Sequence, residues 1–175
     1  VNEPILSVLT RATEFVEKMR GETAELTEEP VLVGMEVHIW NRRYVTELCE
    51  LLKKVLPHCR IMLGGPEVLF HPEQTLKQIP AADYVVCGEG EEIVAQYLEY
   101  EREKPTIMEI EEKRSATIKF PEGLAYRGKD GIVVAASVPI VVENMDRLPF
   151  PYPDLELVVR QHKIVYYEAS RGCPF

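Results

Sequence analysis

The sequence predicts an α/β fold with an open parallel sheet, of the flavodoxin-like or Rossmann-like kind. Two observations carry that prediction. Three short apolar runs, at 31–35, 60–63 and 83–87, alternate with stretches whose apolar residues recur at helical spacing. Strands separated by helices pair in parallel through right-handed crossovers. Residues 1–100 therefore read α-β-α-β-α-β-α.

Each element has its own local cause. Asn2-Glu3-Pro4 is a helix start, because Asn can cap, an acid suits the first turn and Pro is tolerated there. Ile5, Val8, Leu9, Ala12, Phe15, Val16 and Met19 then form one apolar face, and Gly21 ends the helix. Residues 22–29 are acidic and polar, hence a loop. Val31-Leu32-Val33-Gly34-Met35 is continuous and apolar, which suits a strand covered on both faces. A second helix starts at Asn41, with Tyr44, Val45, Leu48, Leu51, Leu52 and Val55 as its apolar positions, and Pro57 stops it. Arg60-Ile61-Met62-Leu63 is the next strand, turned by Gly64-Gly65-Pro66. Pro72–Gln78 is a short helix, Asp83–Cys87 a strand, and Ile93, Val94, Tyr97 and Leu98 mark a further helix.

Beyond residue 100 the pattern changes. Residues 101–118 are charged and read as a connector. Gly128-Lys129-Asp130-Gly131 lies between Gly123–Arg127 and Ile132–Ala136, a strong hairpin signal. Met145–Pro153 carries three prolines and is extended, and Lys163–Glu168 resembles a strand opening something new. The predicted organisation is an α/β domain at 1–100, a connector with a β-hairpin at 101–160, and the start of another domain at 161–175. The chain opens on a helix, starts without Met and stops at Cys173-Pro174-Phe175, as expected for a piece of a longer protein lacking one or two N-terminal strands.

Composition narrows the function classes. The 175 residues are 46% hydrophobic and 28% charged, as in an ordinary globular domain. The net charge of −9 argues against nonspecific nucleic-acid binding and against anionic membranes, which want a basic surface. The apolar runs are too short for a membrane span, and no signal peptide is visible. The four cysteines lie far apart, with no zinc spacing, which fits a cytoplasmic protein with reduced thiols.

In open parallel sheets, ligands bind at the carboxyl ends of the strands. Three loops fall there: Glu36-Val37-His38-Ile39-Trp40-Asn41, Gly64-Gly65-Pro66-Glu67 and Gly88-Glu89-Gly90-Glu91. Three such loops on one edge predict a ligand crevice lined by Glu36, Val37, His38, Gly64, Gly65, Pro66, Gly88 and Glu89. Gly64 and Gly65 would let a ligand approach the backbone. Taken alone, His38 reads as a satisfied loop histidine and Trp40 as a core or rim aromatic. Cys49, Cys59 and Cys87 read as inert small hydrophobes. Gly88-Glu89-Gly90 is not a dinucleotide fingerprint, since the third glycine would fall at Ile93 and the acids would repel a pyrophosphate. No residue is assigned a catalytic role.

The order of these motifs is informative as a set. Val33-Gly34 with Trp40-Asn41, then Leu63-Gly64-Gly65-Pro66-Glu67, then Val86-Cys87-Gly88-Glu89-Gly90-Glu91, resembles the cobalamin (B12)-binding-type domain of radical S-adenosylmethionine enzymes. Gly123-Leu124-Ala125-Tyr126, Leu148-Pro149 with Pro151-Tyr152-Pro153, and Tyr166-Tyr167-Glu168-Ala169-Ser170-Arg171-Gly172-Cys173-Pro174-Phe175 are similar to that family's passage into its radical barrel. The resemblance implies a cobalamin-binding-type fold that presents a corrinoid, or a small-molecule substrate, to the barrel of the same parent chain. It also implies that Cys173 is the first cysteine of a CxxxCxxC triad holding a [4Fe–4S] cluster that binds S-adenosylmethionine in the parent. One cysteine cannot hold that cluster, so the chain alone is expected to be non-catalytic, whereas the parent would be an Fe–S oxidoreductase or methyltransferase. The family's DxHxxG signature does not occur here, and Glu36 stands near the serine of its SxL motif. The alternative expectation is a degenerate scaffold or partner-docking domain that no longer binds cobalamin.

Overall fold

The computed structural model describes residues 3–22, 31–103, 120–128, 131–134, 139–152, 154–161, 164, 165, 168 and 171. In chain order they form α1 (Ile5–Glu22), β1 (Leu32–Glu36), α2 (Arg42–Val55), β2 (Arg60–Gly64), α3 (Pro72–Gln78), β3 (Tyr84–Val86), α4 (Gly90–Glu103), β4 (Leu124–Gly128), β5 (Gly131–Val134) and α5 (Leu155–Arg160). These bounds follow the apolar periodicity closely. Pro57 and Pro72 sit where they limit α2 and open α3, because a ring-locked residue without an N–H is tolerated only outside or at the start of a helix. Gly21 does not end α1, which runs one residue further.

The five strands make one sheet in the order β1-β2-β3-β4-β5. β1, β2 and β3 are parallel neighbours, with Val33 opposite Ile61 and Met62 opposite Tyr84. β4 runs antiparallel to β3, with Tyr84 opposite Tyr126 and Val86 opposite Leu124, and β5 returns antiparallel to β4. The sheet is therefore mixed, and the hairpin predicted within a connector is hydrogen-bonded into it. The chain divides into two compact units, Val1–Val142 and Glu143–Phe175. Most of the charged stretch at 101–118, most of the strand predicted at 163–168, and Cys173 lie outside the described residues.

The first unit has a core on each face of the sheet. On one face α1, α2 and α3 cover Ile61, Leu63, Val85 and Ala125, with Leu9, Leu48, Leu52 and Leu76 packed among them. On the other, α4 lays Ile93 and Tyr97 against Met62, Val86 and Leu124. β2 and β3 are thus covered on both sides, as their continuous apolar sequence requires. β1 is not. Among the described residues it pairs only with β2, Gly34 and Glu36 are exposed, and Gly34 meets no atom within 4 Å of the position of a side chain. The apolar face of α1 is also wider than the core it meets, since Phe15 is 64% and Met19 40% exposed.

Polar side chains tie the layers together at the amino ends of the strands. Asp83 accepts hydrogen bonds from Lys53 Nζ at 2.8 Å and from the Ile61 N–H at 2.7 Å, joining α2, β2 and the start of β3. Arg60 donates to Tyr97 Oη at 3.2 Å and pairs with Glu101. Arg127 of β4 donates to the carbonyls of Leu76, Ile79 and Ala82, which satisfies acceptors that the end of α3 leaves open.

Candidate functional site at the carboxyl edge of the sheet

Parallel pairing of β1, β2 and β3 places their carboxyl ends on one edge, so the three predicted loops are neighbours. The β1–α2 loop is the most constructed of the three. Asn41 clips it: the His38 N–H donates to Asn41 Oδ1 at 2.7 Å, and Asn41 Nδ2 donates to the Glu36 carbonyl at 2.9 Å. The His38 carbonyl accepts the N–H groups of Asn41 and Arg42 at 3.1 and 3.0 Å, which starts α2. His38 Nε2 lies 3.0 Å from a Glu36 carboxylate oxygen. The His38 ring stacks on Trp40 with centroids 4.4 Å apart and planes 8° from parallel. Ile39 and Trp40 are 79% and 78% exposed, so Trp40 is a rim aromatic and not part of the core.

Val37 belongs to the core instead of the edge. Its side chain is fully buried, its N–H donates to the Gly64 carbonyl at 2.7 Å and its carbonyl accepts the Glu67 N–H at 3.3 Å. The first and second loops are therefore stitched to each other. Gly65, at φ +100°, sits so close that a Cβ there would lie 2.8 Å from the Val37 carbonyl oxygen. Its glycine is required by the chain's own backbone. Beyond it, Pro66 and Glu67 line a cavity of about 470 Å³ with Arg42, Phe70, Gln74 and Gln78. Arg42 is committed within that cavity, at 3.1 Å from Glu67 Oε1 and 2.5 Å from Gln78 Oε1. Sequence patterns gave no sign of this cluster, because its members come from three separate elements.

The third loop is covered by a returning segment. Ile140 forms a parallel bridge with Gly88: its N–H donates to the Cys87 carbonyl at 3.0 Å and its carbonyl accepts the Glu89 N–H at 2.8 Å. A Glu89 carboxylate oxygen takes the Val142 N–H at 2.6 Å. Gly88 and Glu89 thus hold residues 140–142 across the end of β3. Among the sequence-predicted site residues, Glu36, His38, Gly64, Gly65 and Pro66 fall together beside Trp40, Val37 lies beneath them, and Gly88 and Glu89 serve the covering segment.

Residues 6–98 match the B12 binding domain family. The chain belongs to the B12-binding domain family. Its relatives include an uncharacterized methyltransferase of Pyrococcus horikoshii, 27% identical over 84% of this chain and 30% of the relative. The anaerobic magnesium-protoporphyrin IX monomethyl ester cyclase of Rubrivivax gelatinosus is 28% identical over 92% of this chain and 30% of its own length. A cobalamin-dependent radical SAM methyltransferase of Streptomyces tokunonensis is 24% identical over 88% of this chain and 22% of its own. The chain thus spans less than a third of the length of the relatives it matches. It is a B12-binding domain like those of cobalamin-dependent radical SAM enzymes.

The donor chemistry of this B12-binding domain decides how a corrin could be held. Among the described residues no group of three or more His, Cys, Asp and Glu could hold a metal. His38 is engaged by Glu36 and Trp40, and His58 and His71 are exposed away from the β1–α2 loop. Cys49, Cys59 and Cys87 are buried and free, and burial pushes all three thiols up, Cys49 to about 12. None is poised as a thiolate ligand or nucleophile. The described edge instead offers backbone groups, a side-chain-free stretch at Gly64 and an exposed aromatic ring, which fit a corrin held by shape and contact. No helix among the described residues is long and apolar enough to cross a membrane.

Proposed function

We propose that this B12-binding domain holds a corrinoid at the carboxyl edge of β1 and β2 and presents it to the radical barrel of a longer parent chain. The observation that carries this proposal is the stitched pair of loops at Glu36–Asn41 and Gly64–Glu67, on the edge where parallel sheets bind ligands, in a chain of this family. Glu36, His38, Gly64, Gly65 and Pro66 would meet the corrinoid by backbone and shape contacts. Bound there, the corrinoid would supply group-transfer chemistry at its cobalt, and the protein's part is to orient it and exclude water. In the parent, Cys173 would be the first thiolate of the [4Fe–4S] cluster that binds S-adenosylmethionine. The parent would act as a radical methyltransferase or oxidoreductase, in the cytoplasm, where the three free thiols stay reduced.

The test uses the 175-residue chain. It is incubated anaerobically with hydroxocobalamin, freed of unbound ligand by gel filtration, and its visible spectrum recorded. Co-eluting corrinoid near one per chain is the expected result. A chain that elutes colourless overturns the carrier role. A second reading would then take its place, a scaffold that packs on the barrel. Glu36 near the position of the family's serine and residues 140–142 lying over the third loop favour that scaffold.

A further inference from the structure

We infer that Trp40 is the plate on which the flat face of the corrinoid rests, and that it sets the affinity of the site. This inference rests on the corrinoid reading above. Two features of the structure support it. First, one face of the indole is backed by the His38 ring, 4.4 Å away and nearly parallel, while the side chain as a whole is 78% exposed. An exposed tryptophan costs free energy in water unless something covers it, and an aromatic face is best covered by another flat, largely apolar surface. Second, the plate is held rigid before any ligand arrives. Glu36 positions His38 at 3.0 Å, His38 positions the indole, and the two Asn41 hydrogen bonds fix the backbone between them. Little ordering entropy is left for binding to oppose, which is how a preorganised contact gains affinity. Ile39, 79% exposed on the same loop, extends the apolar surface. A corrin, flat and apolar across its ring with polar amides at its rim, matches a plate of this kind flanked by the backbone of Gly64.

Trp40 is the single tryptophan in the chain, so one indole N–H signal reports on it alone. The 15N-labelled protein is titrated with hydroxocobalamin, whose low-spin cobalt(III) is diamagnetic, and that cross-peak is followed. In parallel, corrinoid affinity is measured for the wild type, W40F and W40A. The expected result is a cross-peak that moves and saturates at one equivalent, an affinity about tenfold lower for W40A, and most of the affinity kept by W40F. Because Trp40 is exposed, both variants should keep the wild-type melting temperature. A wild type that retains corrinoid with an unmoved cross-peak, or a W40A affinity within twofold of wild type, overturns the role of Trp40 while leaving the corrinoid site intact. A wild type that retains no corrinoid overturns both.

Discussion

Gly88 lies against the backbone of Ile140: a Cβ at position 88 would sit 2.1 Å from the Ile140 carbonyl oxygen and 2.5 Å from its nitrogen. Gly88 also adopts φ +139°, a conformation that side chains rarely take. The glycine that a motif scan assigns to a ligand is required by the chain itself.

Gly88→Ala should therefore destabilise the first unit severely, by about 2–4 kcal/mol, because strain at φ and a backbone clash act together. Urea unfolding followed by far-UV circular dichroism measures it. A loss under 1 kcal/mol, on the order of an ordinary surface substitution, would show that residues 140–142 can detach from β3 without consequence.

Asn41→Ala removes both hydrogen bonds that clip the β1–α2 loop. The expected stability loss is modest, about 1–2 kcal/mol, since each such bond contributes on the order of 1 kcal/mol. Faster hydrogen exchange at the His38 amide, with β2 unchanged, would confirm that the effect is local.

Arg127→Met keeps the length of the side chain and removes the guanidinium that serves the carbonyls of Leu76, Ile79 and Ala82. A loss of about 1–3 kcal/mol follows from acceptors left at the end of α3. The change should appear in thermal unfolding, and Arg127→Lys should recover only part of it, because an ammonium lacks the planar fork.

The thiols give a pH dependence with a definite sign. Burial raises Cys49 from 9.0 to about 12, and burial also raises Tyr97 above its usual 10.0. Both are neutral in the folded state at pH values where the unfolded chain ionises them. Their contribution is fully present below pH 9 and is lost as pH rises from 9 towards 12. The urea midpoint should fall steadily over that interval. Cys49 should resist alkylation by iodoacetamide in the native protein at pH 8 and react once the chain is unfolded.

Much of the architecture is legible in local sequence. Apolar residues at Val45, Leu48 and Leu52 give α2 one buried face, and Ile61–Leu63 read correctly as a strand covered on both sides. The Gly128–Gly131 turn announced its hairpin, with Arg127 opposite Ile132. The same patterns misjudged β1, whose apolar run suggests two covered faces although the strand lies at an edge of the described sheet. Hydrophobicity reports how well a segment would tolerate burial, and an edge position is decided by which neighbours the rest of the chain supplies.

By itself, the sequence determined the order of helices and strands, the three loops at one edge of the sheet and the kinship to B12-binding domains. These rest on spacing between near neighbours, which secondary structure converts directly into faces and turns. Tertiary structure alone decided that the hairpin joins β3, that Val37 is core, that Gly65 and Gly88 make room for backbone, and that Trp40 stands exposed on a ring of His38. Each of these depends on which distant segments come to lie against one another, and no local spacing encodes that.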